Sequence, residues 1–440
     1  MKGNCLVSSK YCQTLLPTTF GSNEMNLAEL IDIALQNNPS TKQTWASARA
    51  SAAQYGQSLS SFYPDIEFDG TYIRQKGTFI NLGAPIPFYT TEGGPGVTLT
   101  YTLFDFGQRT SASLAAREAL YYADLTHNQE IQTVIQTVMD DYYNYLYQVA
   151  QLRANEANLA NAQMSLDAAN EKFALGLAAL GDVAQARTQF LQNRINLTTQ
   201  KQNVEDAFAQ MAYDLGLPAN IRFKVQPMPE QVIADPVLES VNQLVEIGQN
   251  QRQDLLAAQA NLRSQEASLL NAKRAIMPVI SSDLTAGHYW FNKGLQEKDF
   301  HWSATVSMTF PLFDGFYYKN GVRYAEANVE LAKAQLMQTE LGMVQDVTTS
   351  HMGVKTAALN LADTDEYLKA AELEFKIALA NYKAGTGTIL DVISAQSSLA
   401  NARSMKAQAQ QSWFTSLATL AYATGSLCAT PNELEERCNE

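Results

Sequence analysis

From Ser111 to Ala174 the chain contains neither proline nor glycine, and this run restricts the possible folds more than any other feature. Apolar residues recur at Ile131, Ile135, Val138, Tyr142, Tyr145, Val149 and Leu152, in alternating steps of four and three. The seam continues at sevens through Leu159, Leu166 and Phe173. A 3.5-residue apolar period belongs to α-helices packed side by side in a left-handed supercoil. At 1.5 Å per residue such a helix is on the order of 100 Å long, more than a globular core of this chain could bury end to end. The intervening positions, as in Asn155 to Asn170, are largely Ala, Asn, Gln and Ser. A narrow apolar stripe between small and polar faces predicts neighbours on one or two sides and water on another, as the wall of a water-filled tube requires.

The same seam returns at Val354, Leu361, Leu368, Phe375 and Tyr382. A displacement of 209 positions also lays Leu103-Phe104-Asp105 on Leu312-Phe313-Asp314, Gly176 on Gly385, Asp182-Val183 on Asp391-Val392, Arg194 on Arg403 and Gly216 on Gly425. Upstream, Arg49 and Pro64 match Arg263 and Pro278 at a displacement of 214, which places a five-residue insertion in a loop between Pro64 and Leu103. A period this long is no solenoid and predicts a duplication. Each copy reads helix, strand hairpin, very long helix, turn, return helix. The expected boundaries are an N-terminal segment over 1–24, a first repeat over 25–216 and a linker over 217–236. A second repeat follows over 237–425 and a tail over 426–440. The hairpins are expected at about 64–105 and 278–313, the long helices at about 107–175 and 320–383, and the return helices at about 182–215 and 389–424. The helices before the hairpins are expected over about Leu27–Ser61 and Val237–Ala275, each stopped by its proline.

Beyond Pro64 and Pro278 the period changes to two. Val97, Leu99, Tyr101 and Leu103 interleave with Thr98, Thr100 and Thr102, and Phe300, Trp302, Ala304, Val306 and Met308 with His301, Ser303, Thr305 and Ser307. Asp65, Glu67, Asp69 and Asp283 alternate with apolar residues in the strands after the prolines. The polar positions hold many Ser and Thr, and the segments run about 10 residues. Tyr63, Tyr72, Tyr101, Tyr289, Trp290 and Trp302 are expected in an interfacial girdle. This favours a lipid-facing sheet over half of a soluble sandwich. Four strands cannot close a barrel, which needs about eight. Edge amides left open in lipid would each cost several kcal/mol. Strands that span a membrane therefore require several copies of the chain.

Composition narrows the function. No stretch of about 20 apolar residues offers a transmembrane helix. A formal net charge of −13 argues against nucleic acid or anionic lipid as a partner. The histidines 127, 288, 301 and 351 are scattered, and no phosphate loop, nucleophile–base pair or metal cluster is present, so neither an enzyme nor a cofactor is expected. Cys5, Cys12, Cys428 and Cys438 sit at the two ends without zinc spacing, and Cys428 with Cys438 could close a small loop. Residues 1–24 carry Lys2 and Lys10 but no apolar stretch of signal-peptide length and are expected to be disordered.

With the duplication, the FYPDI and IMPVI strand entries, the LFDFG and PLFDG strand exits and above all AGTGTILDV at 384–392, the chain resembles the TolC family of bacterial outer-membrane efflux proteins from about Leu27 to Gly425. The resemblance implies a mainly α fold with a small β part: long antiparallel coiled-coil helices forming an α-helical barrel, and four strands per chain in a trimeric, twelve-stranded transmembrane β-barrel. It implies an exit duct of a tripartite efflux or type I secretion system, in the outer membrane and extending into the periplasm. The partners implied are two further copies, outer-membrane lipid, a periplasmic adaptor and an inner-membrane transporter of RND, ABC or MFS type, with no nucleic acid. Tyr382 and Asp182 match a tyrosine and an aspartate joined as a latch between coils at the constricted tip. Asp391 matches the first of two aspartates ringing the constriction; Ser394 stands in place of the second, and Gly387 in place of a latch arginine. Gly176 and Gly385, with Leu177 and Thr386 beside them, match the turns where adaptors dock.

Several residues have plainer readings. Asp182 and Asp391 fall in first helical turns, where a carboxylate is stabilised whatever else it does. Tyr382 continues the seam and by default packs in a core. Asp65, Glu67, Asp69 and Asp283 are either lumen-facing or ordinary solvated strand residues. A trimeric coiled-coil adhesin explains the heptads but not the matched hairpins, and a periplasmic adaptor carries one coiled-coil hairpin where this chain has two.

Overall fold

The computed structural model describes residues 24–81, 84–227, 240–291 and 298–428. Among them run β1 (Glu24–Met25), α1 (Leu27–Asn37), α2 (Pro39–Leu59), β2 (Asp65–Asn81), β3 (Ala84–Phe104), α3 (Gln108–Ala174), α4 (Leu180–Asp214) and β4 (Lys224–Val225). They continue as α5 (Val241–Gln251), α6 (Gln253–Arg274), β5 (Val279–Phe291), β6 (Lys298–Thr309), α7 (Tyr317–Ala384) and α8 (Ile389–Ala423). Helix dominates and strand is minor. The segment before Glu24, residues 228–236 of the expected linker, the tail after 428 and the Cys428–Cys438 pairing lie outside the described residues.

Each helical stretch expected before a hairpin is two helices. Pro39 has no N–H and disfavours helical backbone at Asn38, which is extended (ψ 129°). Asn38 accepts from the Ser40 N–H at 2.8 Å and donates to the Asp214 carbonyl at 2.8 Å. The break at Arg252 (ψ 116°) has no proline. Its guanidinium, almost buried, donates to Asp254 at 2.9 Å and Asp346 at 2.7 Å. Capping boxes start α1 at Asn26–Glu29 and α5 at Ser240–Gln243.

The chain divides into two units. One comprises Ala46–Asp124 and Ala257–Gln338 and holds an antiparallel sheet in the order β2-β3-β5-β6. Its register aligns Asp65, Thr100, Asp283 and Thr305 in one row, and Ile66, Leu99, Leu284 and Ala304 in the next. Paired residues share a face, so the two faces differ in chemistry along the sheet. β2 and β3, at 17 and 21 residues, exceed the expected ten; β5 and β6 have 13 and 12. The strand-exit aspartates are turn-makers: Asp105 accepts from the backbone N–H of Gly107 and Arg109, and Asp314 from those of Phe316 and Tyr318. Each carboxylate thus starts the long helix that follows it.

The other unit comprises Met1–Trp45, Leu125–Leu256 and Thr339–Glu440. One core joins Leu30 and Ile33 of α1, Val138 and Tyr142 of α3 and Met211 of α4. A second joins Ala168 and Ala169 of α3, Ala186 of α4, Phe375 and Tyr382 of α7 and Val392 and Leu399 of α8. The α7 seam is buried at Val354, Leu361, Phe375 and Tyr382. The lower α3 seam departs from expectation. Phe173 is 45% exposed, and the buried line instead runs Asn158, Ala162, Ser165, Ala168 and Ala169. Small residues let the helices approach closely, which leaves Met164 and Phe173 off the contact line, while Leu166 of the expected seam still packs against this core. Nor do all the polar positions face water: the Asn158 side chain accepts from Arg403 at 2.8 Å, and Gln151 donates to the Ser404 hydroxyl at 2.8 Å. A buried amide is tolerated because it is bonded.

Candidate functional site

The turns α3–α4 and α7–α8 come together, and the residues singled out in the sequence collect there. α3 ends with the Leu177 N–H on the Lys172 carbonyl at 2.8 Å, and α7 with the Thr386 N–H on the Asn381 carbonyl at 3.0 Å. Gly176, Leu177, Gly385 and Thr386 are all exposed. Thr388 caps α8: its N–H and hydroxyl donate to the Asp391 carboxylate at 2.8 and 2.7 Å, and the Asp391 N–H donates back at 3.3 Å. These bonds hold the Asp391 carboxyl below the usual carboxylate range. Ser394, one turn on, is exposed beside it. The equivalent position before α4 is Ala179, which offers no side-chain cap.

Asp182 and Tyr382 line one pocket of about 620 Å³ with Lys172, Lys383 and Gly387. Tyr382 is 2% exposed, yet its hydroxyl has no hydrogen-bond partner. The Tyr382–Asp182 bond implied by the resemblance is therefore absent within this protomer. The two still sense each other, since burial and then the Asp182 charge push the Tyr382 phenol up. The Lys172 ammonium lies 4.4 Å from the Tyr382 ring centroid.

On the sheet, Asp65, Glu67, Asp69 and Asp283 share one face. Thr98 donates to Asp69 at 3.2 Å and Thr100 to Asp283 at 3.0 Å. The other face carries Ile66, Phe68, Tyr72, Val97, Leu284, Trp302 and Val306, all exposed; Trp302 is 71% exposed. Tyr101 and Trp290 also fall on that face by register. Tyr289 does not: it shares the face of Asp283, with its ring over Gly96 and Gly287. Tyr63 precedes β2 and lies outside the sheet.

The family model described as outer membrane efflux protein matches residues 30–217 and 244–426. The chain belongs to the outer membrane efflux protein family. Protein CyaE of Bordetella pertussis is 27% identical over 389 residues, 87% of this chain and 80% of that protein. Outer membrane protein TolC of Salmonella enteritidis is 22% identical over 415 residues, 92% of this chain and 83% of that protein. The crystal structure of the outer membrane protein VceC of Vibrio cholerae superposes with a TM-score of 0.81 at 20% identity, covering 91% of this chain and 96% of that one. The place of this efflux-family chain is the outer membrane. No helix among the described residues is long and apolar enough to cross a membrane, and the exposed apolar sheet face is the surface suited to lipid.

Two features of this efflux-family chain escaped sequence reasoning. Lys172 is one, because nothing local ties it to a ring 210 positions away. The other is a group of acids against the apolar seam of α3. Burial raises the Asp140 carboxyl to about 6, and burial together with the Asp214 carboxyl beside it pushes Asp141 well above the usual range. One oxygen of each, Asp140 Oδ1 and Asp141 Oδ2, is buried without a partner. Two adjacent acids between seam positions Val138 and Tyr142 were the available signal.

Proposed function

We propose that three copies of this chain form a passive outer-membrane exit duct that conducts small molecules or polypeptides delivered by an inner-membrane transporter. The duplication would give each copy two hairpins, and three copies would share one barrel of twelve strands. The observation that carries the reading is the four-stranded sheet. Among the described residues its apolar face is uncovered, its opposite face holds Asp65, Glu67, Asp69 and Asp283 among Thr and Ser, and its outer strands β2 and β6 have free edges. Lipid covers such a face at no cost, whereas an unpaired edge in lipid is prohibitive, so the edges pair between copies. The acids then line the lumen and favour cations.

In this reading the helices enclose the conduit in the periplasm. Asp182, Tyr382, Gly387, Asp391 and Ser394 form its constriction. The exposed turns at Gly176, Leu177, Gly385 and Thr386 receive a periplasmic adaptor that links the duct to a transporter of the RND, ABC or MFS class. Efflux and type I secretion use the same wall, and the transporter selects the cargo. The test is planar-bilayer recording of detergent-purified protein. Discrete channels of low conductance are expected, with a cation block that Asp391→Ala relieves. A protein that inserts without conducting, or that stays a monomer without detergent, overturns the reading and leaves a coiled-coil structural protein.

A further inference from the structure

At the turn end a lysine bears on the buried ring of Tyr382. Lys172 lies in the last turn of α3, and its ammonium sits 4.4 Å from the ring centroid of Tyr382 in the last turn of α7. It reaches across from one helical hairpin to the other, and its Nζ also lies against the α7–α8 turn, 4.0 Å from where a Cβ on Gly385 would stand. The ring beneath it is almost fully buried, so the contact is shielded from solvent on the ring side. The phenol hydroxyl at the far end of that ring bonds to nothing in the protomer. At this end of the molecule, therefore, Tyr382 is engaged by Lys172 through its π face rather than through its oxygen. Gly387 supplies no side chain of its own, and Lys383 and Asp182 complete the charges lining the pocket.

We propose that Lys172 is the cation that fastens the α3–α4 hairpin to the α7–α8 hairpin and so holds the constriction shut. This rests on the duct reading above. Lys172 is a positioning residue: it acts on the opening through Tyr382, by fixing the ring that packs with Ile389, Val392 and Leu399 of α8. A cation over a buried aromatic face is attracted by the ring quadrupole, and shielding from water strengthens the attraction. Arginine offers the same attraction with a planar cation, whereas methionine keeps the length and loses the charge.

The experiment is single-channel recording of wild type, Lys172→Met, Lys172→Arg, Tyr382→Leu and the Lys172→Met/Tyr382→Leu double variant, each purified in detergent. Loss of one cation–π contact is expected to raise open-state occupancy of Lys172→Met between about twofold and about thirtyfold. Lys172→Arg is expected to restore the closed state to within about twofold of wild type. Because the two residues act as a unit, the double variant is expected to open no further than Tyr382→Leu alone. A lysine that merely complements the helix dipole would add its effect to that of Tyr382→Leu, and that additivity overturns the proposal. Tyr382→Leu empties a core position; should it not fold, Tyr382→Met, which keeps bulk without a π face, takes its place in the cycle, and equal behaviour of Lys172→Met and Lys172→Arg also overturns the assignment. Wild-type channels with an unchanged Lys172→Met refute the role of Lys172 and leave the duct standing, whereas a wild type that never conducts removes both.

Discussion

Gly216 closes α4, and replacing it with alanine separates two costs that usually come together. Its φ is +71°, a backbone conformation that an L-residue adopts only at about 1–2 kcal/mol. A Cβ there would also stand 2.7 Å from the carbonyl carbon and oxygen of Asn37 and 2.9 Å from the Asn38 nitrogen, at the break between α1 and α2. Those are backbone atoms held by the Asn38–Asp214 bond, so they cannot rotate away, and relieving the overlap adds about 1–3 kcal/mol. Gly176 is the control. Its φ is +73°, but nothing lies within 4 Å of its Cβ position, so Gly176→Ala carries the conformational cost alone. The change in the unfolded chain is the same for both and cancels in the comparison. Gly216→Ala is thus expected to destabilise by about 2–5 kcal/mol and Gly176→Ala by about 1–2 kcal/mol, a gap of about 1–3 kcal/mol set by the contact with Asn37. Both glycines belong to the same unit, so urea unfolding in detergent, followed by helical circular dichroism, compares them directly. Equal losses, or a larger loss at Gly176, would show that the α1–α2 junction yields freely and that the packing argument is wrong.

Burial of the Asp140–Asp141 pair makes stability depend on pH in an unusual sense. Both carboxyls titrate higher in the fold than in the unfolded chain, so their contribution is fully present below about pH 4. It is lost as pH rises through about 6 for Asp140 and then through the raised Asp141 value. Asp141→Asn is therefore expected to stabilise the protein at pH 8 by on the order of 2 kcal/mol and to flatten the slope above pH 6; denaturant midpoints between pH 5 and 8 check it, and an unchanged slope refutes it. Arg252→Met, which strips a buried guanidinium from Asp254 and the half-exposed Asp346, is expected to cost about 1–3 kcal/mol. Asp346→Asn, on the exposed side of the same pair, is expected to cost under about 1 kcal/mol, and thermal melts of the two variants in detergent rank them.

The parts of the fold that were legible in the sequence are those written in a local period. The absence of glycine and proline in α3 and the proline that precedes each hairpin are chemical constraints on the backbone, and they hold whatever surrounds them. The alternation in β3 and β6 gives the face of every residue once the register is known. Where alternation was weak, residue type misled: Tyr289 is an aromatic by kind but lies on the polar face by parity. Phe173 shows a related limit, because extending a heptad by sevens assumes that the contact line keeps its place along the helix. Lys172 was invisible for a different reason. A contact between the last turns of two helices leaves no period, and only the fold brings those turns together.

The caps of the two return helices give the two carboxylates at this end different surroundings. Asp182 and Asp391 both occupy the third residue of their helices, three positions after Ala179 and Thr388. Thr388 supplies a hydroxyl, and Asp391 spends its carboxylate on it and on the Thr388 N–H, held ionised, exposed and turned toward its own helix. Ala179 supplies no hydroxyl, so the Asp182 carboxylate is not drawn back to the cap and lies in the pocket with Lys172 and Tyr382. Two aspartates that look equivalent in the sequence thus differ according to one side chain three residues upstream: Asp391 keeps an exposed charge bound to its own cap, and Asp182 lies in the pocket toward the neighbouring hairpin. Substituting threonine at Ala179 should therefore move Asp182 toward a capping role and weaken its influence on the Tyr382 phenol, while the charge offered by Asp391 stays as it is.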